Sequence, residues 1–188
     1  MTAGVGHNNG PSLDGGVAWR RHVWTKARAD LIPKLPIEIL RRRVARAKEL
    51  GLPYKTYASV RASTGRDVVG FLFSNNALRV HRRGEAPPQA VRGKLDHLAG
   101  VRRVALVPDG FAAAMQAAPL DAILTAPPAF ASWGETREMV LRGIRETGGP
   151  PDGVLIIGET MAERDWSEAA RAAGFLTGTH FFEAEIQG

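Results

Sequence analysis

The sequence predicts an α/β fold: a Rossmann-like three-layer sandwich with a mostly parallel sheet, preceded by a basic helical N-terminal segment. From residue 67 onward, apolar runs of four to six residues alternate with helix-like segments, which is typical of parallel strands covered on both faces. Before residue 67, apolar residues recur at helical intervals among many arginines. We therefore expect three parts: a tail over 1–16, a basic helical segment over 17–66 and an α/β domain over 67–188.

The N-terminal part divides into a tail and three helices. Residues 1–16 are rich in Gly and Asn and have little to bury, which predicts disorder. Helices should follow over 17–32, which ends before a proline, over 36–50, which begins at a proline and stops at a glycine, and over about 53–63. The second helix should turn one apolar face inward, made of Ile37, Leu40, Val44 and Ala47.

The C-terminal part should alternate strands and helices. Its first strand, 68–73, also allows a second interpretation, in which Asn75-Asn76 forms a hairpin turn that joins it to 77–81. The further predicted strands are 103–107, 120–125, 153–157 and 179–185, and the predicted helices are 87–99, 110–117, 133–147 and 165–173.

Charge is divided unequally along the chain. Residues 1–103 contain 20 lysines and arginines against 7 acidic residues, whereas residues 104–188 contain 5 against 12. The formal net charge of +6 therefore conceals a strongly basic half and an acidic half. A basic half predicts a polyanionic partner, and nucleic acid (DNA or RNA) is the first candidate.

Arginine-rich helices suit a phosphate backbone because guanidinium groups bind phosphate oxygens in pairs and release condensed counterions. Two other interpretations stay open. The cations could dock on an acidic surface, of a protein partner or of this chain at Glu159–Glu168, or they could only keep the helices soluble. The predicted nucleic-acid-binding residues are Arg20, Arg21, Lys26, Arg28, Arg41, Arg42, Arg43, Arg46, Lys48, Lys55 and Arg61.

A second candidate site follows from the predicted sheet. In doubly wound sheets, ligands bind outside the carboxyl ends of the strands, and several polar residues stand at those ends here. Oxygen ligands such as Asp109, Glu159 and Glu163 could hold Mg²⁺, although we expect no cofactor. The predicted crevice residues are Ser74, Asn75, Asn76, Asp109, Glu159 and Glu163.

Part of this half resembles the haloacid-dehalogenase-like phosphatases. In Asp152–Glu163 an apolar strand ends in Gly-Glu and a second acid follows four residues later, and the Ala-rich stretch Ala169–Gly174 comes next, as in the last motif of that family. Phe71–Leu78 stands where the family has its first motif. The resemblance spans about 68–188 and implies the family's fold and a phosphate- or nucleotide-sized crevice.

The departures from that family concern its reacting groups. Ser74 stands in place of the phosphoryl-accepting aspartate, and it has no evident base to activate it. Asn76 stands in place of the general acid and base, and an amide cannot exchange a proton. No lysine follows Lys94, so only an arginine such as Arg137 could replace the family's charge-neutralising lysine, and Glu159 would be the metal-binding acid. The resemblance therefore implies a degenerate site.

Other features narrow the class of protein. The chain contains no Cys, which excludes disulfides and thiolate metal sites. No segment approaches the ~20 apolar residues of a membrane span, so we expect a cytoplasmic protein without a membrane partner. Neither of the glycine-rich phosphate-binding motifs, GxxxxGK(S/T) and GxGxxG, occurs.

We therefore predict a non-catalytic binding or adaptor protein whose Arg-rich helices contact nucleic acid independently of base sequence. The alternatives are a metal-dependent phosphatase or phosphotransferase of degenerate haloacid-dehalogenase type and a protein-interaction module with an acidic partner. The sequence does not predict an oligomeric state.

Overall fold

A computed structural model describes residues 35–183. The chain divides into two units, residues 1–40 and 41–188, and the sheet and its site belong to the second. The predicted tail and the predicted helix over 17–32 lie outside the described residues. Within 35–183, no helix is both long and apolar enough to cross a bilayer.

Five strands form one sheet: β1 (Gly70–Ser74), β2 (Arg102–Val107), β3 (Ala122–Thr125), β4 (Val154–Gly158) and β5 (Gly174–Thr177). Their order is β3-β2-β1-β4-β5, and every neighbouring pair is parallel. The predicted α/β fold is confirmed. Because the chain adds strands on one side of β1 and then returns to the other side, the order reverses between β1 and β4, where such sheets bind ligands.

Helices cover both faces of the sheet. They are α1 (Ile37–Glu49), α2 (Tyr54–Thr64), α3 (Gln89–His97), α4 (Ala112–Met115), α5 (Trp133–Glu146), α6 (Met161–Ala170) and α7 (Gly178–Glu183). A short 3-10 turn, Pro151–Gly153, precedes β4.

Two hydrophobic clusters separate the three layers. On one face, residues of α5 and α6 such as Ile144 and Trp166 pack on Leu72 and Ile156 of the central strands. The opposite face is covered by α2, α3, α4, α7 and the end of α1, which contribute Ala47, Leu50, Tyr57, Leu95, Met115 and Phe181 to one cluster with Phe71 and Phe73. Residues before and after residue 66 therefore share one hydrophobic core, and α2 is part of one helical layer on the sheet.

Three details differ from the sequence predictions. First, residues after Ser74 form a tight turn, in which Val80 N–H donates to the Asn75 carbonyl at 3.0 Å, and not a second strand. The hairpin interpretation is therefore wrong. The physical reason is that β1 already has a parallel neighbour on each side, β2 and β4, so β1 has no free edge with which residues 77–81 could pair.

Second, the predicted strand over 179–185 is wrong in its described part, 179–183. Residues Gly174–Thr177 pair with β4 instead, and the following residues form α7. Phe181 of this helix packs against the rings of Phe71 and Phe73, at centroid distances of 5.1 and 5.6 Å. Burial of this ring on the sheet and capping by Thr177, whose Oγ1 accepts the His180 N–H at 3.1 Å, stabilise a helix in a segment whose composition favours strands.

Third, the apolar face of α1 is rotated from the predicted one. Ala47 is buried, but Ile37 is 58% and Val44 is 45% exposed. The helix turns Ala47 toward the core and at the same time places Arg46 over the start of β1 and β2, and this orientation leaves Val44 in solvent.

Candidate functional site

Arg46, a cation of the predicted binding set, forms five hydrogen bonds within the fold. Its guanidinium donates to Asp67 Oδ2 at 3.1 Å, to Glu49 Oε2 at 2.9 Å and to three backbone carbonyls, those of Val68, Ala99 and Gly100, at 2.9–3.2 Å. Burial disfavours its charged form, but the hydrogen bonds and charges of Glu49 and Asp67 outweigh burial and raise the pKa of Arg46. Arg46 is therefore a structural clamp between α1 and the amino ends of β1 and β2.

Asp67 lies just before β1 and binds side chains of both α1 and α2. Besides Arg46, it accepts the Tyr57 hydroxyl at 2.8 Å and lies 3.9 Å from Arg61. Burial and the hydrogen bond to Asp67 raise the pKa of Tyr57, because both disfavour the phenolate. Arg61 therefore already has a carboxylate neighbour within the fold, and Arg43 is half-buried.

Three cations of α1 and α2 face water instead. Arg42, Lys48 and Lys55 are exposed, and none of them forms an ion pair with a carboxylate of the described chain. We call these three residues the exposed cation set. Arg41 is also exposed but has an interaction of its own. Arg20, Arg21, Lys26 and Arg28 lie outside the described residues.

The internal acidic surface considered in the sequence analysis is not what holds the basic helices. Glu159–Glu168 belongs to the end of β4 and to α6, which covers the other face of the sheet. Arg46 and Arg61 are held by Glu49 and Asp67, two of the few acids in the basic half. Within residues 35–183, Arg66 is the cation of this segment that reaches the acidic half, with Nε 2.7 Å from Asp152 Oδ2.

The second candidate site lies where the strand order reverses. Ser74 ends β1 and is completely buried, and its Oγ accepts the Ala77 N–H at 3.1 Å. Asn75 donates to the Val80 carbonyl at 3.1 Å, which closes the turn after the strand. Asn76 donates from Nδ2 to Glu163 Oε1 at 2.9 Å. The structure therefore brings Asn76 and Glu163 together, 87 residues apart in the chain.

Glu163 has a local explanation that the sequence analysis missed. Thr160 and Glu163 form a capping box: Thr160 Oγ1 accepts the Glu163 N–H at 3.2 Å, and Glu163 Oε2 accepts the N–H groups of Thr160 and Glu159 at 2.9 and 2.6 Å. The Thr-x-x-Glu spacing was the available signal, and it also explains why α6 begins at Met161 rather than at residue 165. The buried carboxylate occupies the position at which a helix N-terminus would bind an anion.

The other two predicted acids have separate partners. Glu159 Oε1 accepts the backbone N–H and the hydroxyl of Thr179 at 2.5 and 3.1 Å. Asp109 is exposed after β2 and accepts the Thr125 hydroxyl at 3.2 Å, beside a cavity of about 330 Å³ that Arg142 also lines. Among residues 35–183, no three Asp, Glu or His side chains are grouped so that they could hold a metal ion together.

A cleft of about 300 Å³ opens above the reversal of strand order. Its apolar wall comes from the Ala126–Ala131 loop, Ala162 and Trp166, and Trp133 stands at its side with 55% of its surface exposed. Its polar groups are Asn75, Asn76, Thr136, Thr160, Glu163 and Asp165, and no Lys, Arg or His lines it. We call this cavity the switch-point cleft.

The sequence analysis missed Trp133, Thr136 and Asp165 as lining residues. Ser132 and Glu135 form a second capping box that starts α5, with Glu135 Oε2 accepting the Ser132 N–H at 2.8 Å. This box fixes Trp133 at the first helical position and Thr136 one turn later, so the Ser-x-x-Glu spacing was again the available signal.

No protein-family model, curated protein sequence or solved structure matches this chain.

Proposed function

We propose that the protein is a non-catalytic binding protein that contacts nucleic acid through cations on α1 and α2, by phosphate contacts that do not read the base sequence. The observation that supports this proposal is the exposed cation set: Arg42, Lys48 and Lys55 are exposed and have no carboxylate partner in the described chain. Exposed cations that the fold does not use are available to displace counterions from phosphates.

The clamp at Arg46 adds a second support. The C-terminal end of α1 is held by hydrogen bonds from the Arg46 guanidinium to carbonyls just before β1 and β2. Ala47 and Leu50 pack into the core beside it. Arg42 and Lys48 therefore stand on a helix with a fixed orientation. Cations on a rigid element lose less conformational freedom when they meet a phosphate backbone than cations on a flexible tail.

The crevice supports the non-catalytic part of the proposal. Ser74 Oγ is fully buried and already accepts a backbone N–H, so it is poorly placed to attack a substrate. Asn76 directs its amide N–H₂ at Glu163, and Glu163 caps α6. These roles maintain the fold, whereas phosphoryl transfer needs an accessible nucleophile. The resemblance to haloacid-dehalogenase-like phosphatases stays a prediction.

The test is a binding measurement on matched variants of the full chain. In the first variant, Arg42, Lys48 and Lys55 are replaced by Gln; in the control, the exposed cations Arg82, Arg145 and Arg171 are replaced by Gln. Both variants lose the same formal charge. We expect labelled 20-mers of duplex DNA, single-stranded DNA or RNA to bind the wild type at low salt, and the first variant to bind at least tenfold more weakly than the control.

The outcomes separate the candidate partners. Equal loss in both variants would mean that net charge, and not this surface, attracts the polyanion. Binding of poly-glutamate as tightly as nucleic acid would favour an acidic protein partner instead. Absence of binding to all three nucleic acids at low salt would refute the proposal.

A further inference from the structure

The charged side chains of the switch-point cleft are acidic, whereas those of the N-terminal helices are mainly basic. Its lining includes two carboxylates, Glu163 and Asp165, and no basic side chain. A phosphate-binding cleft needs cations or unoccupied backbone N–H groups. Here the N–H groups of Glu159 and Thr160 at the start of α6 are already bound by Glu163. The cleft is therefore unsuited to the phosphate expected from the family resemblance.

The aromatic and apolar groups of the cleft suit an organic ligand. Within the described chain, Phe130, Trp133 and Met161 are the exposed large hydrophobic residues outside α1 and the residues just before it. Trp133 lines the cleft, whereas Phe130 lines a neighbouring cavity that shares Pro128 and Ala131 with it. The exposed Trp133 ring offers a flat apolar surface at the side of the cleft on which an organic ligand can pack.

One polar group points to a ligand independently of the carboxylates. Thr136 lines the cleft and is only 9% exposed, and no hydrogen bond of its hydroxyl is present among the described residues. Its oxygen is reached by solvent, so the hydroxyl is open to the cleft and lacks a partner from the described residues. A ligand in the cleft that carries a donor or acceptor would provide one.

From these three observations we infer that the switch-point cleft binds a small organic cation: an amine or guanidinium with an apolar body. The apolar body packs on Pro127, Ala131 and Trp133, and the cationic head faces Asp165 and the Trp133 ring. The Thr136 hydroxyl bonds the buried end of the ligand. A volume of about 300 Å³ fits a ligand of this size. The inference is independent of the nucleic-acid proposal, since the two use different residues.

The test uses benzylamine, its uncharged counterpart benzyl alcohol and inorganic phosphate as probes of the full chain. Binding is followed by the shifts of the Trp133 indole and Thr136 amide signals in ¹⁵N-labelled protein, with the indole signal assigned from Trp133→Phe. We expect benzylamine to shift both signals saturably in the millimolar range and to bind at least threefold more tightly than benzyl alcohol.

Three variants locate the interaction. Asp165→Asn should weaken benzylamine binding about two- to fivefold, and it should not affect benzyl alcohol. Thr136→Val should weaken both organic probes about two- to tenfold, because it removes the hydroxyl and keeps the shape. Glu168→Gln, an exposed change on the same helix as Asp165, should leave all three probes unaffected.

Several results would overturn the inference. One is the absence of any shift at these signals with about 10 mM benzylamine. Equal affinity for benzylamine and benzyl alcohol, or stronger shifts with phosphate, would refute the cationic head. An Asp165→Asn variant that keeps full benzylamine affinity would place the ligand elsewhere.

Discussion

The Arg46 clamp provides a sharp test of how the basic segment is built. Replacement of Arg46 by Met keeps the length and the apolar stem of the side chain but removes five hydrogen bonds, four of them to groups other than the exposed Glu49. The side chain is 20% exposed, so water replaces only part of what is lost. With Asp67 and three carbonyls left under-bonded, we expect the free energy of unfolding to fall by about 2–4 kcal/mol.

Equilibrium urea denaturation measures this change, and two further variants interpret it. Arg46→Lys keeps the charge, but an ammonium has three N–H donors for the five acceptors of Arg46, so about half of the loss should remain. Arg42→Met, an exposed change four residues away on the same helix, should alter stability by no more than about 0.5 kcal/mol. If Arg46→Met and Arg42→Met have equal effects, Arg46 does not clamp the helix, and the distinction between structural and available cations fails.

Three other predictions concern the sheet and its cover, each measured by urea denaturation. Glu163→Ala should cost about 2–3 kcal/mol, because it leaves two backbone N–H groups and the Asn76 amide without their acceptor; a cost below about 0.5 kcal/mol would contradict this role. Gly143→Ala should destabilise, since its Cβ would lie 2.9 Å from a methyl carbon of Leu72, whereas Gly134→Ala on the same helix meets no atom within 4 Å and should stabilise by about 0.5–1 kcal/mol; the same sign for both would refute the packing argument. Burial lowers the pKa of Lys94, so the native state binds fewer protons than the unfolded chain, and the free energy of unfolding should increase as the pH rises toward the ordinary lysine value of 10.5. Lys94→Met should lack this part of the pH dependence, and identical pH profiles would exclude it.

Much of the fold could be predicted from the sequence, because buried parallel strands leave continuous apolar runs. Phe71–Phe73 and Val154–Ile157 are such runs, and both are central strands. The last strand was misplaced because the apolar residues are spread over Gly174–Phe182, and the packing of Phe181 on the sheet helps to decide which part becomes helix. That contact is tertiary, but Thr177, whose Oγ1 accepts the His180 N–H and caps α7, was a local signal that the sequence analysis missed.

The candidate sites divide in the same way. The abundance of arginine was visible in the sequence, but which arginines are occupied depends on distant carbonyls: Arg46 bonds residues 22 to 54 positions away. In the cleft, Glu163 was interpreted as a ligand, although the Thr-x-x-Glu spacing predicts a capping box. Thr136 and Asp165 line the same cleft only because α5 and α6 lie side by side over the sheet, which the sequence does not reveal.

The central claim, that Arg42, Lys48 and Lys55 contact phosphates, is tested most directly by the salt dependence of duplex DNA binding. Each lost phosphate contact lowers the steepness of log affinity against log salt by about 0.9, so the variant with all three replaced by Gln should be less steep than the wild type by about 2.7. The control at Arg82, Arg145 and Arg171 should keep the wild-type slope. All other cations of the chain are the same in both variants. An unchanged slope in the first variant, or an equal decrease in the control, would contradict the account.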